Sequence, residues 1–273
     1  MPKSNPDLLN KDSMKKHLRF WILLFLLLLG MTANAQKPNA VPTLFIIGDS
    51  TVNNSDTGVQ GWGNVIGEYF DKTKINVQNR ARGGRSSRTY FTEGLWDKVL
   101  AEIKPGDFVL IGFGHNDGGP IDKEKFRGSL KGIGEETQEV DNTMTAKHET
   151  IRTYGWYMRR FVADAKAKGA LPMVFSQIPR NIWKNGQVER ASDSYGLWAK
   201  QVADNKKVPF IDLNEIVAKQ YEKEGADKVG TTYFTIKDHT HTSPAGARLN
   251  AESVIEGIKH LKNSSLKKYV LKK

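Results

Sequence analysis

The stretch "FIIGDSTV", residues 45–52, opens as an apolar, β-branched run and closes in a polar turn of Gly48, Asp49 and Ser50. A short run bounded by turn residues reads as a buried strand. Ser50 admits two readings: a cap for a helix that follows, or a hydroxyl delivered to a strand end for chemistry. Four further runs repeat the pattern: "INVQN" from Ile75, "DFVLIGFG" from Asp107, "LPMVFSQI" from Leu171 and "PFIDL" from Pro209. Between them lie segments of helical period. "GWGNVIGEYF" places Trp62, Val65, Ile66, Tyr69 and Phe70 on one face, and "YFTEGLWDKVLAEI" does so with Phe91, Leu95, Val99 and Leu100. "TIRTYGWYMRRFVADAKAKG" stacks Ile151, Tyr154, Met158, Phe161 and Val162 and stops at Gly169. Strands alternating with helices predict an α/β fold whose parallel sheet is covered on both faces.

The 273 residues suit one domain. At the start, Lys15, Lys16 and Arg19 precede the apolar run "FWILLFLLLLG" and the small-residue segment "TANAQ". That is the plan of a secretory signal peptide over residues 1–35, with Gln36 as the mature start. An uncleaved anchor is the weaker reading, because a membrane-spanning helix needs about 20 apolar residues and this run is shorter. No later segment approaches that length, so no stable membrane insertion is expected once the signal is cleaved. The single folded domain is expected over 36–262, with a weakly periodic insert at 117–147 and a basic tail at 263–273.

Cysteine is absent, which excludes disulfides, thiol catalysis and Cys-ligated metal. The net charge of +11 becomes +8 without residues 1–35, which hold five Lys/Arg and two Asp/Glu. A positive balance favours polyanionic partners. With export expected and no nucleic-acid module present, an acidic polysaccharide fits better than nucleic acid.

Ligands of open parallel sheets bind beyond the carboxyl ends of the strands. Gly48–Ser50 leave the first strand there, Gly83 and Gly84 follow the second, and "GHND", residues 114–117, follows the third. Of six histidines, His17 falls in the signal, His260 lies among terminal lysines and His148 sits at a predicted helix start. His115 and the segment "KDHTHTSPAGARLNAE" from Lys237 remain. Ser243 and Pro244 read as the cap and first position of a helix, which leaves Asp238 and His241 in the preceding turn. Three residues apart, the carboxylate can reach the imidazole Nδ1 and leave Nε2 free. In isolation, capping plus a surface histidine is the better explanation of that pair. His115, His239, His241 and Asp238 could also ligate a metal, but the spacing matches no zinc motif, and no metal or other cofactor is expected. The G-x-S-x-G elbow and both glycine-rich phosphate loops are absent.

Taken in order, "GDSTV" at Ser50, "NRARGGRSSRTY" at Gly84, "GHND" at Asn116 and "DHTH" at Asp238 and His241 resemble the four blocks of the SGNH, or GDSL-like, hydrolases. The likeness spans residues 43 to about 260 and implies a flavodoxin-like three-layer α/β/α sandwich around a five-stranded parallel sheet. Thr51 and Val52, "GRSSRTY", "RGSLKGIGEETQEV", "YGWYMRRFVADAKAKGA" and "DHTHTSPAGA" are most similar to the rhamnogalacturonan acetylesterases. Lys131, where proline is expected, and the basic tail depart from that pattern.

The resemblance implies that Ser50 is the nucleophile, His241 its base and Asp238 the acid orienting that base. It further implies an oxyanion hole made by the N–H groups of Ser50 and Gly84 and the amide of Asn116. Asp49 and His115 take supporting places, and His239 is a decoy beside the true base. The implied function is an exported, periplasmic or extracellular, carbohydrate esterase that removes O-acetyl groups from pectic polysaccharide. A xylan or general acetylesterase, a lipase or thioesterase, and a non-catalytic polysaccharide binder are the alternatives. Arg82, Arg85, Arg88 and Arg127, with Lys123 and Lys125, are candidates to meet uronate carboxylates, or are ordinary surface charge.

Overall fold

The computed structural model describes residues 41–235 and 238–272. The signal peptide expected over residues 1–35 lies outside them. Residues from Val41 onward form one compact unit.

Five strands make one parallel sheet: β1 (Thr43–Ile47), β2 (Asn76–Asn79), β3 (Phe108–Ile111), β6 (Leu171–Phe175) and β9 (Phe210–Ile211), in the order β2-β1-β3-β6-β9. Successive side chains of a strand point to opposite faces, and here that alternation sorts the apolar residues into two cores. Leu44 and Ile46 of β1, with Phe108 and Leu110 of β3, join the core on one face. Phe45, Ile47, Val109 and Ile111 join the core on the other. All eight are at most 2% exposed, as strands covered on both sides must be.

Helices α5 (Leu213–Glu224) and α6 (Pro244–His260) cover the first face through Val217, Tyr221, Ala251 and Val254. Helices α1 (Ser87–Thr92), α2 (Leu95–Glu102), α3 (Tyr154–Ala167) and α4 (Tyr195–Lys206) cover the second through Tyr90, Trp96, Phe161 and Val202. The parallel sheet covered on both faces, expected from the strand and helix pattern, and the three-layer α/β/α sandwich implied by the resemblance are thereby formed. Among the described residues, no helix is long and apolar enough to cross a membrane.

The expected helix over 61–70 forms instead as two tight 3₁₀ turns, Trp62–Asn64 and Ile66–Tyr69. That expected over 90–103 is broken at Gly94, whose φ of +70° is left-handed. The helix expected from Thr150 begins only at Tyr154, where the Thr153 hydroxyl caps the Trp156 N–H at 3.0 Å. Residues just before it belong to a hairpin, β4 (Thr137–Asn142) with β5 (Lys147–Arg152), that forms part of the insert. Its apolar anchor is small: Val140 and Ile151 pack with Phe126.

Two further expectations are corrected. His148 stands in β5, not at a helix start, and is exposed between Asp141 at 2.7 Å and Glu139 at 3.0 Å. The hydrogen bond to Asp141, against slight desolvation, raises its pKa. The basic tail expected over 263–273 is, in its described residues 263–272, packed in part against the domain. Leu266 is fully buried, Tyr269 meets Phe108 edge-on at 5.7 Å, and Val270 bridges Phe70. Lys267, Lys268 and Lys272 face outward, together with Asn263, Ser265 and Leu271, which is 39% exposed.

Candidate active site

β1 has β2 on one side and β3 on the other, so the strand order reverses at β1 and the loops leaving these strands diverge around a crevice. The residues singled out at the first three strand ends all lie there. Gly48 permits the crossing: a Cβ on it would lie 2.7 Å from Val52 Cγ2 and 2.9 Å from the Gly112 carbonyl oxygen. Asp49, 2% exposed, then folds the loop on itself. Its Oδ1 accepts from the Thr51 N–H at 2.9 Å and the Thr51 hydroxyl at 2.8 Å. Its carbonyl accepts from the N–H groups of Val52 and Asn53. No helix begins at Ser50, so capping does not account for the serine.

The loop after β2 is tied alongside. Arg82 N–H donates to Gly48 O at 3.0 Å, and Asn53 Nδ2 donates to Ala81 O at 2.7 Å. A Cβ on Gly83 would lie 3.6 Å from Ser50 Cβ, so these loops touch at the serine. Gly84 has φ +76° with open space where a Cβ would stand. Its glycine is required by the left-handed backbone rather than by crowding. Among the described residues, the N–H groups of Ser50 and Gly84 donate to no protein acceptor.

After β3, Asn116 is 6% exposed and donates one amide hydrogen to Arg85 O at 2.9 Å. An amide carries two such hydrogens, and the second has no protein acceptor among the described residues. Asp117 is fully buried and accepts from the Ser87 N–H, the Ser87 hydroxyl and the Ser129 hydroxyl at 3.0 Å. It thereby locks the third strand end to the start of α1 and to the insert. Burial outweighs those hydrogen bonds and lifts its pKa to about 6. His115 is buried too, and neither ring nitrogen has a hydrogen-bond partner among the described residues. Burial lowers its pKa to about 4; the charge of Asp49 opposes this and that of Arg180 adds to it.

Asp238 and His241 stand on a short strand, β11 (Asp238–Thr242), paired with β10 (Phe234–Thr235), rather than in an open turn. Ser243 caps α6 through the Gly246 N–H and Pro244 takes the first helical position. Asp238 Oδ1 accepts from the N–H groups of Thr240 at 2.7 Å and His241 at 3.0 Å. Its Oδ2 lies 2.6 Å from His241 Nδ1, and His241 Nε2 lies 2.8 Å from Ser50 Oγ. Burial opposes ionisation of Asp238, but the two backbone N–H groups and the imidazole outweigh it and hold its pKa below the ordinary value. An ionised carboxylate only accepts, so Nδ1 carries the ring proton and Nε2 accepts from the serine hydroxyl. A second pair of bonds staples the two carriers together. Gln60 N–H donates to Thr242 O at 2.8 Å, and the Thr242 hydroxyl donates to Gln60 O at 3.1 Å.

The arginines expected near substrate divide. Arg82 is exposed with no ion pair among the described residues, and Arg85 pairs with Glu93 at 2.9 Å. Arg127 is half-buried against Gly119, while Lys123 and Lys125 are exposed. Arg88 requires correction. At 1% exposure it donates to the carbonyls of Ile121 and Gly128 and pairs with Glu149 at 2.8 Å, pinning the insert to α1 with no face left for a ligand. Another arginine, not singled out from the sequence, reaches the crevice instead: Arg180, in the loop after β6. Its guanidinium lies 3.4 Å from His239 Nε2 and 3.4 Å from the His115 carbonyl oxygen. Reading the end of the fourth strand as the first three were read would have marked it. Among the described residues, no cluster of His, Asp and Glu is arranged to hold a metal ion.

Known proteins match this chain in sequence and in fold. The GDSL-like Lipase/Acylhydrolase family matches residues 46–249. The rhamnogalacturonan acetylesterase of Emericella nidulans is 32% identical over 231 residues, covering 84% of this chain and 90% of that one. RhgT, a rhamnogalacturonan acetylesterase of Bacillus subtilis, is 29% identical over 234 residues, covering 80% and 90%. The crystal structure of YxiM from Bacillus subtilis aligns with a TM-score of 0.65 at 25% identity, over 82% of this chain and 57% of that one. The chain therefore belongs to the GDSL-like lipase/acylhydrolase family. It is an esterase.

Proposed function

We propose that the protein is an exported serine esterase that removes O-acetyl groups from a galacturonate-containing pectic polysaccharide of the rhamnogalacturonan type. The observation that carries the chemistry is the relay from Asp238 through His241 to Ser50, at 2.6 and 2.8 Å, beside two uncommitted backbone N–H groups. Ser50 Oγ attacks the acetyl carbonyl carbon while His241 Nε2 takes its proton. Asp238 stays ionised and stabilises the imidazolium. The carbonyl oxygen, now negative, accepts from the N–H groups of Ser50 and Gly84 and from the Asn116 amide. Each such donor is worth about 2.7–4 kcal/mol in the transition state. Collapse expels the sugar oxygen, which leaves with the proton held on His241. Water then repeats the sequence on the acetyl-serine and frees acetate.

The pectic substrate rests on the likeness to the two rhamnogalacturonan acetylesterases and on a charge of +8 once residues 1–35 are removed. Export rests on the basic, apolar and small-residue plan of those residues. Acetate release from acetylated rhamnogalacturonan, measured beside acetylated xylan for the wild type and Ser50→Ala, is the test. Release from the pectic polymer that disappears in Ser50→Ala is expected. Release confined to xylan would overturn the substrate reading, and an active Ser50→Ala would overturn the mechanism.

A further inference from the structure

We infer that Arg180 is the residue that selects an acidic sugar, by gripping a uronate carboxylate next to the ester being cleaved. This rests on the pectic-substrate reading above and adds a named specificity residue to it.

Three observations converge. First, among the described residues Arg180 has no carboxylate within ion-pair distance, although it is half-buried at the crevice. A guanidinium taken partly out of water ordinarily finds an anion, because its desolvation is otherwise uncompensated. Its two contacts among the described residues, at 3.4 Å each to a carbonyl oxygen and an imidazole nitrogen, are long, and neither is to an anion. Most of its five N–H donors therefore stay available for a planar, two-oxygen acceptor.

Secondly, both contacts are made to neighbours of the reacting groups. His115 immediately precedes Asn116, and His239 precedes His241 by two positions on β11. Residues two apart on a strand share a face and are separated by about 7 Å. The charge thus stands one sugar's reach from the ester, between the base and the third oxyanion donor. That position suits a carboxylate on the sugar that carries the acetyl group, or on the next one.

Thirdly, the carrier is braced. Asn181 N–H donates to His239 O at 2.8 Å, and Trp183 Nε1 donates to Asn181 Oδ1 at 2.7 Å. The loop bearing Arg180 is therefore anchored on the strand bearing His241. Little ordering remains to be done when substrate arrives, which is where a surface lysine such as Lys123 or Lys125 would lose its advantage. Among the described residues, His239 and His115 are the titratable residues in contact with Arg180, and Asp49 and His241 act on His115 beside it.

The test compares wild type with Arg180→Ala and Arg180→Lys in two assays. In the first, kcat/KM is measured on acetylated rhamnogalacturonan and on the same polymer with its carboxylates reduced to alcohols. Hydrogen bonds to a charged group are worth about 1.5–3 kcal/mol, so the acidic-to-reduced ratio is expected to fall about 10- to 100-fold in Arg180→Ala, mainly through KM. Arg180→Lys is expected to recover part of that ratio. An unchanged ratio, including an equal loss on both polymers, overturns the proposal and makes Arg180 a structural prop for His115 and His239. In the second assay, de-esterified oligogalacturonate competes with hydrolysis of 4-nitrophenyl acetate. Its inhibition constant is expected to rise at least about tenfold in Arg180→Ala. An unchanged constant overturns the carboxylate site. Wild type inert on the polymer but inhibited through Arg180 would sink the substrate reading and sustain the carboxylate site.

Discussion

His241 Nε2 lies 2.8 Å from Ser50 Oγ across 191 positions of sequence, while Asp238 meets the other nitrogen of the same ring from three positions away. The long-range contact is made by the fold and the short-range one by the strand. In Asp238→Asn the side chain keeps its size and can still accept from Thr240 and His241, but turns an NH₂ toward Nδ1. The ring must then place its proton on Nε2, where it cannot receive one from serine. We expect kcat on 4-nitrophenyl acetate to fall about 10³–10⁴-fold with KM little changed. Steady-state kinetics check this, and a loss below tenfold would remove Asp238 from the relay.

Asn116 should matter to rate more than to affinity. Truncation in Asn116→Ala deletes a donor that an oxyanion needs and a neutral ester does not. A drop in kcat of about 10²–10³-fold is expected, with KM within a few-fold of wild type. A KM effect without a kcat effect would assign the amide to substrate binding instead.

His115 and Asp117 give stability opposite dependences on pH. Folding holds His115 near 4 against an ordinary 6.5, so its contribution is complete above pH 6.5 and is lost as pH falls toward 4. Folding lifts Asp117 from 3.8 to about 6, so its contribution is complete below pH 3.8 and is lost as pH rises toward 6. Each is worth about 3 kcal/mol. In His115→Gln only the first disappears. The unfolding free energy of wild type minus that of the variant should therefore fall by about 3 kcal/mol between pH 7 and pH 4, read from urea titrations. A difference that stays constant over that range contradicts the assignment.

Arg88→Ala should loosen the insert. Removing the cation strands Glu149 at 16% side-chain exposure and leaves the carbonyls of Ile121 and Gly128 without their donor. Breaking such a pair costs about 3–5 kcal/mol. Limited proteolysis should find the first new cuts in residues 121–150. A variant as stable and as resistant as wild type would show that the pair is energetically idle.

The contrast between Ser50 and Arg88 explains what was legible in the sequence. β1, β3 and β6 are compact apolar runs, and burial on both faces is written into them residue by residue. The general rule that ligands gather at strand termini marks the polar turns after β1, β2 and β3, which carry Ser50, Gly84 and Asn116. Asp238 and His241 were legible as a pair because three positions in a short segment keep them within reach, although a strand rather than a turn holds them. Arg88 gave no such sign. Its burial depends on partners 33 to 61 positions away, and "RSSR" is equally an exposed basic turn. The hairpin at 137–152 was hidden for a related reason, since Val140 and Ile151 alone are too few apolar residues to set a period. Tertiary partners, not local propensity, decide such segments.

The paired bonds between Gln60 and Thr242 change how the centre responds to motion. Trp62 and Gly63, just beyond Gln60, donate in turn to the carbonyls of Thr51 and Val52, so this short segment bridges the serine loop to β11. Nucleophile and base therefore ride on one local platform instead of being registered through the whole sheet. When a helix slides or a sheet edge breathes, both are carried along, and their separation is insulated from fluctuations in the rest of the molecule.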